Sequence, residues 1–400
     1  MKLTFCKSRV AGPVQAPPSK SYAHRLLIAA ALSGGRVDSL APSEDILATI
    51  DCLHALGFEI RYDGKCAEFS RNQDMQSDCR IVLPCRESGS TMRFIIPLAL
   101  ALAGKGTEFL ITGSDRLLER GIAPYVKTLT NVNFRYVADG ILMSGHLDSG
   151  DFILDASSSS QYLTGLMMAL PLCTGDSRIL LENEPVSRGY LAITEDVLSL
   201  AGIQLKWQNE RQLLIPGGQH YCLSPTASVE GDWTNAAYLE IYNFIDGNRV
   251  CISGLRNGSA QGDRICRELM SQLVKEGQVD ISENIDLGPV LFTLAALKGK
   301  GCIKGTGRLA IKESDRVRDM VSELEAFGVE AQVFENEVEI SAPRLHAPSR
   351  TLSGHNDHRL VMALVPLLTV FSGSIDGADA VRKSFPDYFE VLAKLGAEYD

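Results

Sequence analysis

The 400-residue chain is defined first by what it lacks. It has no G-x-G-x-x-G, no G-x-x-x-x-G-K-[ST] and no G-x-S-x-G. Those absences remove the dinucleotide fingerprint, the P-loop cradle for nucleotide phosphates and the serine nucleophile elbow. It lacks a basic excess: Lys+Arg number 39 against Asp+Glu 49, a formal net charge of -10. A general nucleic-acid or anionic-membrane binder would show the opposite balance. Its ten cysteines include no C-x-x-C pair and no regular spacing, so a disulfide framework is a poor reading and a reducing compartment is expected. The longest apolar run, around Phe94 to Ala103, is too short to span a bilayer. Met1 to Lys20 has no apolar stretch of the signal-peptide kind, and a cytoplasmic protein is the expectation. What remains is ordinary globular material, 45% hydrophobic and 22% charged, long enough for two domains.

An internal repeat organises that material. A helix-like segment ends in glycine and a short alternating strand follows at Ala55-Leu56-Gly57-Phe58, Leu200-Ala201-Gly202-Ile203, Ala326-Phe327-Gly328-Val329 and Lys394-Leu395-Gly396-Ala397. Weaker copies stand at Asn131-Val132-Asn133-Phe134 and Glu276-Gly277-Gln278-Val279. Glycine there suits the left-handed residue that closes a helix. Several copies run on into a hairpin pattern, and six units fit the length, three in each half.

A second recurrence bears on function. Small or polar clusters precede apolar helical runs at Ser19-Lys20-Ser21, Glu87-Ser88-Gly89-Ser90, Ser157 to Gln161, Asp286-Leu287-Gly288-Pro289 and Asn356-Asp357-His358-Arg359. These read as helix N-termini, whose unsatisfied N–H groups and partial positive charge suit anions. Ordinary capping would explain any one of them; five together, four with basic or hydroxyl side chains near the cap, point to a ligand. Lys20, Ser21 and Arg25 could hold a phosphate or simply start a surface helix. Arg93 lies inside an apolar helix, which calls for a structural ion pair with Glu87 or another acid, or for a ligand. The Ser157–Ser160 run reads as linker or as binding loop. Lys312-Glu313-Ser314-Asp315-Arg316 opens an amphipathic helix with Val317, Met320, Val321, Leu324 and Phe327 on one face; it is a solvated helix start, or a Glu between cations doing acid–base work. His355 and His358 form H-x-x-H with no further ligands nearby, so no metal site is expected. Arg120 and Lys383 would each be unremarkable alone.

In order along the chain, the clusters resemble those of the 5-enolpyruvylshikimate-3-phosphate (EPSP) synthase family. The matching pieces are Ser19-Lys20-Ser21…Arg25, Gly89…Arg93, Glu119-Arg120, Ser159-Ser160-Gln161, Val229-Glu230-Gly231-Asp232, Gln261-Gly262-Asp263, Lys312 to Arg316, Asn356 to Arg359 and Lys383 to Phe389. The resemblance implies an α/β (α+β) chain folded as a two-domain inside-out α/β barrel. Each domain would hold three βαβαββ repeats, with a ligand cleft between the domains. One domain would comprise 1–19 plus 231–400, the other 20–230.

The resemblance also implies the chemistry: transfer of the carboxyvinyl group of phosphoenolpyruvate to the 5-hydroxyl of shikimate 3-phosphate, by addition and elimination, with no metal or organic cofactor. Lys20, Ser21, Arg25, Ser159, Ser160, Gln161, Ser187, Tyr190, Asp286 and Lys312 would hold shikimate 3-phosphate. Lys20, Gly89, Arg120, Gln161, Arg316, Arg359 and Lys383 would hold phosphoenolpyruvate. Asp286 would be the base, and Glu313 the proton donor with Lys20 able to share that role. The partners would be these two small molecules alone, without nucleic acid or membrane, and the enzyme a monomer. Glu87 and Arg308 stand where many members have Asn or another polar residue; Glu87 is expected to pair with a nearby Arg. The sister family that acts on UDP-N-acetylglucosamine carries Lys-Asn and a reactive Cys. Here Ser21 follows Lys20, and Gly113-Ser114-Asp115-Arg116 has no Cys. A non-catalytic binding relative would have no need of Asp286, Glu313 and Lys20 together.

Overall fold

A computed structural model describes residues 1–70, 79–104 and 106–400. The chain forms two compact units, Lys20–Val229 and Met1–Ser19 with Glu230–Asp400.

In the unit Lys20–Val229 one pattern is used three times. Strand Arg80–Pro84 leads through helix Gly89–Leu102 to the parallel strand Glu108–Thr112. Two short helices, Asp115–Arg120 and Ala123–Thr128, then precede the hairpin Asn133–Val137 and Gly140–Ser144, whose second strand pairs antiparallel with Glu108–Thr112. The second copy is strand Asp151–Leu154, helix Gln161–Ala169, strand Ser177–Leu181, helix Arg188–Leu200 and the hairpin Lys206–Asn209 with Gln212–Ile215. The third borrows its first strand from the far end of the unit: Thr226–Ser228 pairs parallel with Gly35–Asp38. Helix Lys20–Ser33 precedes Gly35–Asp38, and helix Glu44–Ala55 and the hairpin Glu59–Tyr62 with Ala67–Ser70 complete it.

The other unit holds one complete copy: Gln278–Asp280, Gly288–Leu297, Lys300–Lys304, Arg316–Glu325, and the hairpin Glu330–Val333 with Glu337–Ser341. A second copy runs Leu352–Ser353, His358–Phe371, Gly373–Asp376 and Tyr388–Lys394, and is closed by the N-terminal strand Lys2–Phe5, with a bridge from Phe5 to Tyr399. The third pairs Ala11–Gln15 with Arg249–Ser253 and ends after helix Cys266–Glu276. Gly277 caps that helix in the left-handed conformation and strand Gln278–Asp280 begins at the next residue, leaving no chain for a hairpin.

The sheet strands alternate: Asp151–Leu154 is exposed and buried in turn, as is Ser177–Leu181. One sheet face therefore packs on helices while the other meets water. The helices behind the sheets are apolar nearly all round; Gly89–Leu102, Gly288–Leu297 and His358–Phe371 bury most of their side chains. Gly57, Gly202, Gly328 and Gly396 have φ between 74° and 104°, the conformation expected of the repeated helix closers. Helix Gly89–Leu102 packs closely on helix Gln161–Ala169. A Cβ on Gly165 would stand 2.3 Å from the Arg93 carbonyl, so only glycine permits that approach, which brings Arg93 to Gln161. No disulfide is formed among the described residues, and no helix among them is long and apolar enough to cross a membrane.

Candidate active site

Each unit carries one cluster of the residues singled out in the sequence. In the unit Lys20–Val229, helix N-termini are tied together by side chains. Lys20, Gly89 and Gln161 are the first residues of their helices, and Ser187 immediately precedes helix Arg188–Leu200 in a left-handed conformation, φ 54°. Such backbone in a non-glycine residue is sparsely populated and is held by its surroundings. Arg25 links three of these helices. Its guanidinium donates to the Ser21 carbonyl (2.7 Å), the Thr194 hydroxyl (2.8 Å) and the Tyr190 carbonyl (3.1 Å), and lies 4.9 Å from the Phe94 ring centroid. Gln161 links the rest. Its amide accepts from Arg93 and donates to the Ser90 hydroxyl at 2.8 Å, while Arg93 also lies over the Tyr162 ring. The Ser159 hydroxyl accepts from the Gln161 N–H, and Ser160 is buried beside it.

Gly89 sits against two guanidiniums. A Cβ there would lie 2.9 Å from Arg93 Nη1 and 3.2 Å from Arg120 Nη1. Lys20 pairs with Asp45 at 2.7 Å, both largely buried.

Arg25 and Arg93 are 2% and 4% exposed, yet no carboxylate among the described residues pairs with either. Burial pulls the Arg25 guanidinium down to about 10. A buried cation without a counter-ion is costly. Of the two readings of Arg93, the structural ion pair is not made among the described residues; a neutral amide and an aromatic face take its place.

The cluster in the other unit is compensated. Arg316, 1% exposed, faces three carboxylates: Nε donates to Asp357 (2.8 Å), Nη1 to Asp286 (2.8 Å) and Nη2 to Glu313 (2.6 Å). Burial works against its charge, but Asp357, Glu313 and Asp286 together outweigh it and hold the guanidinium above its ordinary value. Asp286 in turn faces Arg316, Arg359 at 3.3 Å and Lys312 at 3.5 Å. Asp357 also caps helix His358–Phe371 by accepting from the Arg359 N–H. Lys383 is buried, and its ammonium donates to the Asn356 carbonyl at 2.6 Å. Asp263 lies fully buried under the cluster, bonded by Thr234 and Asn284; burial and then the charge of Asp286 raise its carboxyl to about 6. Arg308 donates to the Ser282 carbonyl. No group of three or more His, Cys, Asp or Glu among the described residues could hold a metal ion.

Sequence reasoning missed Asp45, Asp357 as a partner of Arg316, and Asp263 as a titrating group. Asp45 carries no local signal beyond lying in a first helical turn. Asp357 had one, an acidic cap ahead of a helix too apolar for the surface.

Two α/β units whose helices begin at clustered cations, one of the clusters built around the Asp286 carboxylate, have the architecture of the enolpyruvyl transferases. An enolpyruvyl transferase from Streptomyces tendae, NikO, superposes with TM-score 0.76 at 14% identity, over 100% of this chain and 98% of its own. EPSP synthase from Acinetobacter baumannii superposes with TM-score 0.79 at 18% identity, over 100% and 99%. The model of the family EPSP synthase (3-phosphoshikimate 1-carboxyvinyltransferase) matches residues 6–392. The 3-phosphoshikimate 1-carboxyvinyltransferase of Clostridium kluyveri is 33% identical over 98% of this chain and 97% of its own length; that of Clostridium beijerinckii is 31% identical over 100% and 98%. The chain belongs to the EPSP synthase family.

Proposed function

We propose that the chain transfers the carboxyvinyl group of phosphoenolpyruvate to the 5-hydroxyl of shikimate 3-phosphate, and that the two clusters serve this one reaction. The observation that carries the reading is Asp286, a carboxylate set among Arg316, Arg359 and Lys312. It supports a base acting beside cations suited to anionic substrates. Arg25, Ser21, Ser159, Ser160, Ser187, Tyr190 and Lys312 hold shikimate 3-phosphate. Lys20, Gly89, Arg120, Gln161, Arg316, Arg359 and Lys383 hold phosphoenolpyruvate, with Arg93 behind Gln161.

Asp286 takes the proton of the 5-hydroxyl as the oxygen bonds to C2 of phosphoenolpyruvate, and Glu313 delivers a proton to the methylene carbon. The resulting tetrahedral adduct loses a proton from that carbon and expels phosphate, which restores the double bond. The Glu313 carboxylate accepts from Arg316. Phosphoenolpyruvate drawing on Arg316 weakens that pairing and lets Glu313 carry the proton. Charge compensation by fixed guanidiniums and helix ends supplies the electrostatic part of the catalysis. The same reading makes the enzyme a cytoplasmic monomer, which sedimentation of the purified chain tests.

Phosphate release from phosphoenolpyruvate is the test of function. Release with shikimate 3-phosphate is the expected result. Release only with UDP-N-acetylglucosamine would move the chain to the sister activity, and release with neither acceptor would overturn both.

A further inference from the structure

Segment 350–357 enters the second cluster through a strained turn. His355 and Asn356 have φ of 48° and 52°, two successive non-glycine residues in the left-handed region. The turn ends on groups the site uses: the Asn356 carbonyl receives the Lys383 ammonium, and Asp357 receives Arg316. Its conformation therefore sets where both cations stand.

One helix face holds the turn. Arg316, Asp319 and Glu323 follow one another at helical spacing on Arg316–Glu325, and all three are buried. Glu323 binds the segment at three points: Arg350 Nη1 (2.7 Å), the Ser353 N–H (3.1 Å) and His355 Nε2 (2.8 Å). Asp319 stands 3.7 Å from the other ring nitrogen of His355. The His355 ring is thus held between two carboxylates, at the first of the two left-handed residues.

We propose that protonated His355 is a positioning residue for the phosphoenolpyruvate-binding cations, pinning the 353–357 turn to helix Arg316–Glu325 so that Asn356 and Asp357 hold Lys383 and Arg316 in place. The proposal rests on the preceding assignment of Lys383 and Arg316 to phosphoenolpyruvate. The charged groups facing the ring are Glu323, Asp319 and, opposing them, Arg318 on the helix, with Arg350 on the segment competing for Glu323. The Glu323 hydrogen bond leads, and with Asp319 it outweighs burial and Arg318, so the imidazolium persists above its ordinary value of 6.5. As pH rises through that elevated value the ring loses its charge, the carboxylates lose their bridge, and the turn is held less tightly. Phosphoenolpyruvate binding should weaken in step.

The experiment is steady-state kinetics of the full chain from pH 6 to 9, with shikimate 3-phosphate saturating. His355→Gln keeps a donor for Glu323 but removes the charge. Its KM for phosphoenolpyruvate should exceed that of the unmodified chain by about tenfold at pH 6, the two should converge at pH 9, and kcat should stay within about twofold. Asp319→Asn removes a charge that favours the imidazolium, so the KM rise should move to lower pH with His355 still present. A His355→Gln KM matching the unmodified chain at every pH, or a fall in kcat with KM unchanged, would overturn the inference while leaving the activity intact. Absence of phosphate release from the unmodified chain would instead overturn the reaction, and the inference with it.

Discussion

Arg316 and Asp357 meet at 2.8 Å with side chains 1% and 0% exposed, 41 residues apart in sequence. The pair joins the start of helix Arg316–Glu325 to the cap of helix His358–Phe371. Removing one partner would leave the other charge buried. Asp357→Ala should lower unfolding stability by about 3–5 kcal/mol, and Asp357→Asn by less because it can still cap the helix. Denaturant titration of the two variants, compared at matched ionic strength, checks the order.

Gly89 is the clearest steric prediction. The added methyl of Gly89→Ala would meet the ends of Arg93 and Arg120, not backbone. Flexible side chains can move, so the fold should survive while both guanidiniums shift. KM for phosphoenolpyruvate should rise by about 10-fold to 100-fold with little change in melting temperature. An unchanged KM would show that neither arginine contacts this substrate.

Arg25 should separate stability from function. Its replacement by Met removes a buried cation with no carboxylate partner among the described residues, but leaves Ser21, Thr194 and Tyr190 without its donors. These effects oppose each other, so stability should change by less than about 2 kcal/mol. Affinity for shikimate 3-phosphate should fall by about 100-fold, as for loss of a desolvated charge contact. Calorimetric binding and thermal melting of the same preparation test both halves.

Asp263 predicts a pH effect of defined sign. Its carboxyl is raised from an ordinary 3.8 to about 6 by burial and by Asp286. The unfolded chain releases this proton first, so the contribution is fully present below pH 3.8, declines as pH rises, and is lost above about pH 6. Asp263→Asn should therefore stabilise the protein at pH 7.5, on the order of 3 kcal/mol at most, and have little effect near pH 4. A variant that melts lower than the unmodified chain at pH 7.5 would contradict this.

Helix starts were legible because capping is local. Ser88, Asp315 and Asp357 each accept a backbone N–H two or three residues on, and such signals lie within one turn of sequence. The glycine closers at Gly57, Gly202, Gly328 and Gly396 were legible for the same reason. The buried polar face Arg316–Asp319–Glu323 was not. The apolar positions Val317, Met320 and Leu324 mark the core side of that helix, but nothing local in the sequence separates Asp319 and Glu323 from solvated charges; segment 350–357, distant in sequence, covers them.

The sequence by itself determined the repeat, the order of the cation-bearing helix starts and, through their resemblance to a family, the chemistry to expect. It could not say which cations keep a counter-ion. Among the described residues Arg25 and Arg93 stay buried without one, whereas Arg316 gathers carboxylates from positions 286, 313 and 357. That difference depends largely on side chains tens of residues apart, such as Asp286 and Asp357 about Arg316, meeting in a low-dielectric interior. There an ion's energy depends on its neighbours in space, and only the tertiary structure supplies them.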